Sequence, residues 1–442
     1  MSVKKRISQI GADMNYEEAR VYLDGVSKYG SVLGLENIRQ LLMRLDNPQD
    51  DLKFIHIAGT NGKGSLLAYI STILREAGYT VGRYISPTLF SYRERIQVNE
   101  QYIEKEALAR LTTRIAMAVE EMNREGMQPT IFELETAMSF LYFKEMHCDL
   151  VVLEVGFGGL EDATNIVTTT VMEIITKIGI DHVAILGNTI EEIARNKAGI
   201  IKPDTLVVSM EQRPEVLQIL EETCEKQHAE LVVAKKEQIQ EVRYGLETQS
   251  FTYRGKRYEI SLAGAYQIEN ASLAVEAIRN LRTLGYSISE EALLQGLKNT
   301  VWKGRFTVLQ TEPMFLIDGA HNADGAKALR ESLQRYFHGK KIFYIMGMFQ
   351  DKEVDKVLED TAPFAESILT IETPNNPRAM SKVALAEVAG KYHSNVKPAE
   401  SIRAAVKESL EQAGKDDVIV AFGSLSFLNE VEVQLKSYVG RA

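Results

Sequence analysis

The chain has 442 residues, 45% of them hydrophobic and 25% charged, enough for two or three globular cores. Its formal net charge of −10 argues against a nucleic-acid surface, which carries a basic excess, while leaving room for a local cationic pocket. Two cysteines, Cys148 and Cys224, can build neither a disulfide framework nor a structural zinc site.

No run approaches the ~20 apolar residues of a membrane span. Polar Ser8, Gln9 and Gly11 follow the basic start where a signal peptide needs an apolar stretch. A soluble cytoplasmic protein with no nucleic-acid or membrane partner is expected.

Taken in chain order, Asn15 with Glu18 three residues on is a capping-box signature, so the first segment reads as helix. The apolar run Phe54-Ile55-His56-Ile57-Ala58 leads at once into glycines and a helical pattern over 65–77. The alternation then recurs. Strands are predicted over 81–85, 150–155, 171–176 and 206–209, with helices over 105–124, 132–146, 190–200 and 214–226. Phe251-Thr252-Tyr253 and Arg257-Tyr258-Glu259-Ile260, flanking a Gly255 turn, read as a β-hairpin, followed by a helix over 269–284. Residues 299–305 look like a junction, after which strands over 314–317, 341–346, 368–371 and 418–422 start a second βα series. The fold class is therefore α/β in two units. Residues 1–298 should form a mostly parallel sheet flanked by helices with a small hairpin addition, and residues 299–442 a smaller Rossmann-like domain.

The clearest chemical motif is Gly59-Thr60-Asn61-Gly62-Lys63-Gly64-Ser65, set between strand and helix. Glycines there let backbone N–H groups converge on phosphate oxygens. The helix N-terminus adds partial positive charge, and Lys63 can reach the terminal phosphates. It is not a strict Walker A loop, since Ile57 stands at the first glycine position and Gly64 where Ser or Thr would follow the lysine. The alternative is a glycine-rich turn that binds nothing. The strand–loop–helix setting with a placed lysine favours phosphate.

This loop resembles that of the Mur ligase superfamily, and especially its folylpolyglutamate synthase/dihydrofolate synthase branch. Six further segments resemble the same branch in order: Ser86-Pro87 with Glu94-Arg95-Ile96; Glu154-Val155-Gly156 through Asp162-Ala163-Thr164-Asn165; Asp181-His182; Lys197-Ala198-Gly199-Ile200; Gly304-Arg305; and Asp318-Gly319-Ala320-His321-Asn322. Thr88, Leu160-Glu161 and Asn196 depart from the usual pattern.

The resemblance implies an ATP-dependent ligase that makes an acyl phosphate from a folate or pteroate carboxylate and captures it with L-glutamate. It implies that Ser86, Glu154 and His182 ligate Mg²⁺, with two ions expected, and that Lys197 is carbamylated. Gly59 to Ser65, Asn270, Arg305, Asp318 and His321 would bind ATP, while Thr130, Phe132, Glu133 and Asp162 would face the folate. Taken singly, Ser86 reads as a turn cap, Glu154 as a solvated strand end, Lys197 as a surface lysine, Asp318 as a turn residue, Arg305 as a linker charge and Phe132 as core. Lys63, Lys197 and His182 are the expected catalytic groups, in a monomer. A cell-wall-precursor ligase, a P-loop ATPase and a nucleotide-binding paralogue without ligase activity are the competing readings. The loop's start at Gly59 leaves little room for the extra N-terminal UDP domain that the first usually carries.

Overall fold

Phe54–Ala58 and Leu150–Glu154 are buried at every position, as strands covered on both faces must be. They lie side by side in the middle of the first sheet of the protein. The structure, a computed structural model, describes residues 13–26, 34–181, 186–187 and 189–439.

The first sheet is built from β1 (Phe54–Ala58), β2 (Val81–Tyr84), β3 (Ile96–Val98), β4 (Gln101–Tyr102), β5 (Leu150–Glu154), β6 (Thr170–Ile175), β7 (Leu206–Met210) and β8 (Glu230–Ala234). Its order is β4-β3-β2-β5-β1-β6-β7-β8, parallel from β2 to β8 with β3 and β4 added antiparallel at one edge. A second, antiparallel sheet pairs β9 (Ile239–Arg243), β10 (Gln249–Tyr253) and β11 (Lys256–Ile260). The expected hairpin is its β10–β11 pair, turning at Arg254 and Gly255, both with positive φ. The addition has three strands rather than two, because β9 alternates too weakly to be read as a strand.

The third sheet contains β12 (Thr307–Thr311), β13 (Met314–Ile317), β14 (Ile342–Met346), β15 (Ser367–Thr370), β16 (Val396–Pro398) and β17 (Val418–Phe422), in the order β12-β13-β17-β14-β15-β16. All neighbours are parallel except β12–β13. The large parallel sheet followed by a smaller Rossmann-like one is the fold class the alternation predicts.

The helix Lys63–Glu76 is buried at every position from Ser65 to Leu74, because it is enclosed by the sheet, the helix Gln267–Thr283 and the helix Glu290–Asn299. Five of its aliphatic side chains, Leu66, Leu67, Ile70, Ile73 and Leu74, are fully removed from water, at about 1.5–3 kcal/mol each. Gly296 lets the last helix approach, since a Cβ there would lie 2.5 Å from the Ile73 Cα. This packing holds the phosphate loop, at the helix N-terminus, on a rigid base.

Side-chain hydrogen bonds fasten the third sheet's unit to the rest on the side of the three-stranded sheet. Tyr266 donates to Asp318 at 2.9 Å, Tyr336 donates to Gln249 at 2.7 Å, and Ser332 accepts from the Ala265 N–H at 3.0 Å.

Candidate active site

The carboxyl ends of β1, β2, β5 and β6 meet at one rim of the first sheet, where parallel sheets present ligand sites. The phosphate loop leaves β1 there. Thr60 pins it: its N–H donates to the Lys177 carbonyl at 2.9 Å, and its hydroxyl donates to the Gly179 carbonyl at 2.9 Å. Gly62 caps the following helix at φ 94°, with the Asn270 amide oxygen where a Cβ would go. Gly64 lies under Trp302, whose ring would be 2.8 Å from an added Cβ, so this loop has no space for the Walker serine or threonine.

Two lysines converge on the loop. Lys63 donates to the Gly59 carbonyl at 3.1 Å, and Lys197, from the helix Ile190–Ala198, donates to the same carbonyl at 3.0 Å. Lys197 is 5% exposed, so it is not a surface lysine. Burial, then the nearby Lys63 charge, lowers its pKa to about 7, against the attraction of Asp181 and Asp162.

Glu154, 6% exposed, ends β5 within 3.4 Å of the Ser86 N–H. Burial raises its pKa, and Lys63, the Ser86 N–H, Arg305 and Arg95 oppose the rise. A buried carboxylate held by one long hydrogen bond, beside a serine just past the end of the neighbouring strand β2, is an oxygen donor set suited to Mg²⁺. His182 lies outside the described residues, and among the described ones no three His, Cys, Asp or Glu side chains are grouped so that they could hold a metal ion by themselves.

Asp162 is the centre of the loop after β5. It accepts from the Phe157 N–H at 2.6 Å, the Thr164 N–H at 3.0 Å and the Thr164 hydroxyl at 2.5 Å. The Phe132 ring covers Gly156 and lies 6.0 Å from the Tyr84 ring. Thr130 and Glu133 form a capping box at the start of the helix Ile131–Glu145: Glu133 accepts from the Thr130 N–H and hydroxyl, and Thr130 accepts from the Glu133 N–H. That accounts for both side chains, and the Thr-x-x-Glu spacing already carried the signal.

Across the rim stand residues of the second Rossmann-like unit. Asp318, after β13, accepts from Tyr266, the Phe306 N–H and the Ala320 N–H, so its carboxylate also serves the junction. Arg305 donates to the Gly304 carbonyl and neighbours Gly319. His321 Nδ1 lies 2.7 Å from the Gly319 carbonyl. Asn270 donates to Gln267, which donates to Ser65.

Contacts that sequence reasoning left without a role tie the two units together. Asn322 and Asn61 exchange side-chain hydrogen bonds at 3.3 Å. Asp181 accepts from Asn322 at 3.1 Å and pairs with Lys352 at 2.6 Å, with His321 at 3.6 Å. Asp181 and Asn322 lie inside motifs quoted for the resemblance. Lys352 had no sequence signal, because its partner is 171 residues away.

Comparison with known proteins fits this cleft. The Mur ligase middle domain matches residues 57–278, and the Mur ligase glutamate ligase domain matches residues 304–425. The chain is 35% identical to the dihydrofolate synthase/folylpolyglutamate synthase of Bacillus subtilis over 95% of this chain and 99% of that protein. It is 31% identical to the protein of the same description from Haemophilus influenzae, over 90% and 92%. Mycobacterium tuberculosis folylpolyglutamate synthase complexed with ADP and AMPPCP superposes with a TM-score of 0.86 at 28% identity, covering 97% of this chain and 100% of that one. Escherichia coli FolC in complex with DHPP and ADP superposes at 0.83 and 27%, covering 98% and 99%. With two units closing on one phosphate loop and relatives matched almost end to end, the chain belongs to the folylpolyglutamate synthase/dihydrofolate synthase family.

Proposed function

We propose that this chain is an ATP-dependent ligase that joins L-glutamate to a folate or pteroate acid. The observation that carries the reading is the convergence of Lys63 and Lys197 on the Gly59 carbonyl beside buried Glu154, with Arg305, His321 and Asn322 facing them from the second unit. The acid's carboxylate attacks the γ-phosphorus of ATP, ADP leaves, and an acyl phosphate forms. The glutamate amine then attacks the acyl carbon and expels phosphate, leaving an amide.

Every species in that sequence is anionic, so fixed cations are what the site must supply. Lys63 follows the terminal phosphates, and the N-terminus of its helix receives the others. Glu154 and Ser86, with His182 by resemblance, would hold Mg²⁺, which when bound neutralises phosphate charge and orients its oxygens. Asn270, Arg305, Asp318 and His321 are assigned to the nucleotide between the units.

Lys197 is assigned as a carbamate. With its pKa lowered, the ammonium gives up one proton, and the neutral amine then attacks CO₂ and releases a second, so that a buried cation becomes an anion. Phe132, Gly156 and Asp162 line the wall given to the pterin acid, with the Thr130–Glu133 capping box behind it. Contacts across the rim exclude water from the acyl phosphate. Both halves of the cleft come from one chain, which supports action as a monomer. No helix among the described residues is long and apolar enough to cross a membrane, and cytoplasmic action is part of the proposal.

The deciding experiment is phosphate release from ATP and Mg²⁺ with dihydropteroate, reduced folates and other pteridine acids, each with and without L-glutamate. Glutamate-requiring turnover with at least one pterin acid is expected. ATP turnover indifferent to glutamate with every acid overturns the proposal.

A further inference from the structure

His56 sits in the middle of β1, fully buried, and takes no part in the chemistry above. Its Nε2 lies 2.9 Å from the Thr164 hydroxyl, and that hydroxyl lies 2.5 Å from Asp162 Oδ1. We propose that His56 is a positioning residue for the pterin-acid pocket, fixing the Thr164 hydroxyl and through it the Asp162 carboxylate that holds the loop after β5. The inference rests on the folate reading for the identity of the pocket.

The direction of the relay follows from proton counting. Burial raises the Asp162 pKa, and the Thr164 hydroxyl with the Phe157 and Thr164 N–H groups opposes the rise by donating to both carboxylate oxygens. Asp162 thus stands as the acceptor, and the hydroxyl has only one proton to give. The Thr164 proton therefore goes to Asp162, and Thr164 must accept from His56. That fixes the Nε2–H tautomer and leaves Nδ1 as a bare acceptor. Nδ1 indeed has no hydrogen-bond partner.

The surroundings keep the ring neutral. Leu153 flanks His56 on β5 and Glu173 on β6, in register on either side. Burial, then the Lys202 charge, depresses the imidazole pKa to about 3. The donor is thus present at any pH at which an enzyme of this kind works.

Asp162 passes the order outward. Its Oδ2 accepts from the Phe157 N–H at 2.6 Å, three residues beyond Glu154. The same loop lies under Phe132 at Gly156 and rests on Lys197 at Gly159, where an added Cβ would be 3.0 Å from the Lys197 Cα. A short chain of hydrogen bonds so connects the core of β1 to the wall shared by the metal-side carboxylate, the substrate side and the helix lysine. Asn165 anchors the next turn independently, by donating to the Leu160 and Gly199 carbonyls. Loss of the relay should therefore loosen one wall without unfolding the site.

The test uses the whole protein in four variants: His56→Leu and Thr164→Val, which remove a link, and His56→Gln and Thr164→Ser, which keep a donor or hydroxyl. Wild type is assayed first with dihydropteroate, ATP, Mg²⁺ and glutamate. The link-breaking variants should raise KM for dihydropteroate about tenfold while KM for ATP stays within about twofold. His56→Gln and Thr164→Ser should stay near wild type, and the Leu/Val double variant should be no worse than either single one. The loss should not change between about pH 6 and 9.

His56→Gln as impaired as His56→Leu, additive losses in the double variant, or a parallel rise of both KM values overturns the proposal. Wild type inert with every pterin acid counts against the folate reading instead. Amide hydrogen exchange over 156–164 then decides the relay: faster exchange in His56→Leu but not in His56→Gln supports it, and equal protection in both sinks it.

Discussion

Lys63 and Lys197 donate to one and the same acceptor, the Gly59 carbonyl, at 3.1 Å and 3.0 Å. Burial first, and then repulsion from the Lys63 charge on the shared carbonyl, lowers the Lys197 pKa to about 7. The helix lysine can therefore act as a neutral nucleophile near physiological pH, in line with the carbamate proposed for it. Lys197→Ala should lower glutamate-dependent phosphate release by at least about a hundredfold, the scale of losing a charged group made for the transition state. Short carboxylic acids such as formate or acetate should restore part of it. Intact mass of active protein should show one added CO₂. An unmodified Lys197 in fully active protein would remove the carbamate from the account.

In the proposed reaction Lys63 acts on the phosphates directly, so its removal should behave differently. Lys63→Ala should abolish ligation and show no rescue by carboxylic acids, since what it loses is a cation. The same substitution removes the charge that opposes protonation of Lys197, so the Lys197 pKa should rise. Isotope-edited infrared bands or lysine-specific labelling across pH would read that shift. Ligation by Lys63→Ala at the wild-type rate is incompatible with a phosphate role.

How far the sequence carried the reading can be seen at particular residues. The Gly59 to Ser65 loop was legible because strand, glycines, lysine and helix are adjacent in the chain. The burial of Lys197 was not legible, because helix periodicity cannot say that its partner will be a carbonyl 138 residues away. The same limit hid the Asp181–Lys352 pair and the His56–Thr164 contact, which join residues 171 and 108 positions apart. Thr130 and Glu133 show the opposite case. Their spacing announces a capping box, and the resemblance drew attention to the substrate instead. The antiparallel edge strand β4, two residues long and exposed, is too short to show any alternation at all.

The Asp181–Lys352 pair should control how firmly the two units close. Both side chains are at most 10% exposed, so removing one partner costs the other an ion pair in a setting where water screens little. Lys352→Met should open the cleft and cut turnover at least about tenfold, with a larger radius of gyration by small-angle scattering. The Asp181→Asn/Lys352→Met double variant should be less impaired than Lys352→Met alone, since it does not bury a carboxylate deprived of its lysine. A double variant with the two losses simply added would show that the pair does not act as a unit.

Glu173 and His56 face each other across β6 and β1 and should pull stability in opposite directions with pH. Burial raises the Glu173 pKa from 4.5 to about 7, so the folded state keeps this proton where the unfolded state has lost it. Its contribution is fully present below about pH 4.5 and is lost as pH rises through about 7. His56, depressed from 6.5 to about 3, contributes the reverse slope, with stability rising between those values. The two nearly offset where their windows overlap. Glu173→Gln mimics the protonated acid permanently, so it removes the falling slope and leaves the rising one. Urea midpoints measured from about pH 5 to 8 should therefore climb in Glu173→Gln relative to wild type, with the gap widest at the alkaline end. A gap that stays constant over that range means that Glu173 is already ionised at pH 5, and the linkage is wrong.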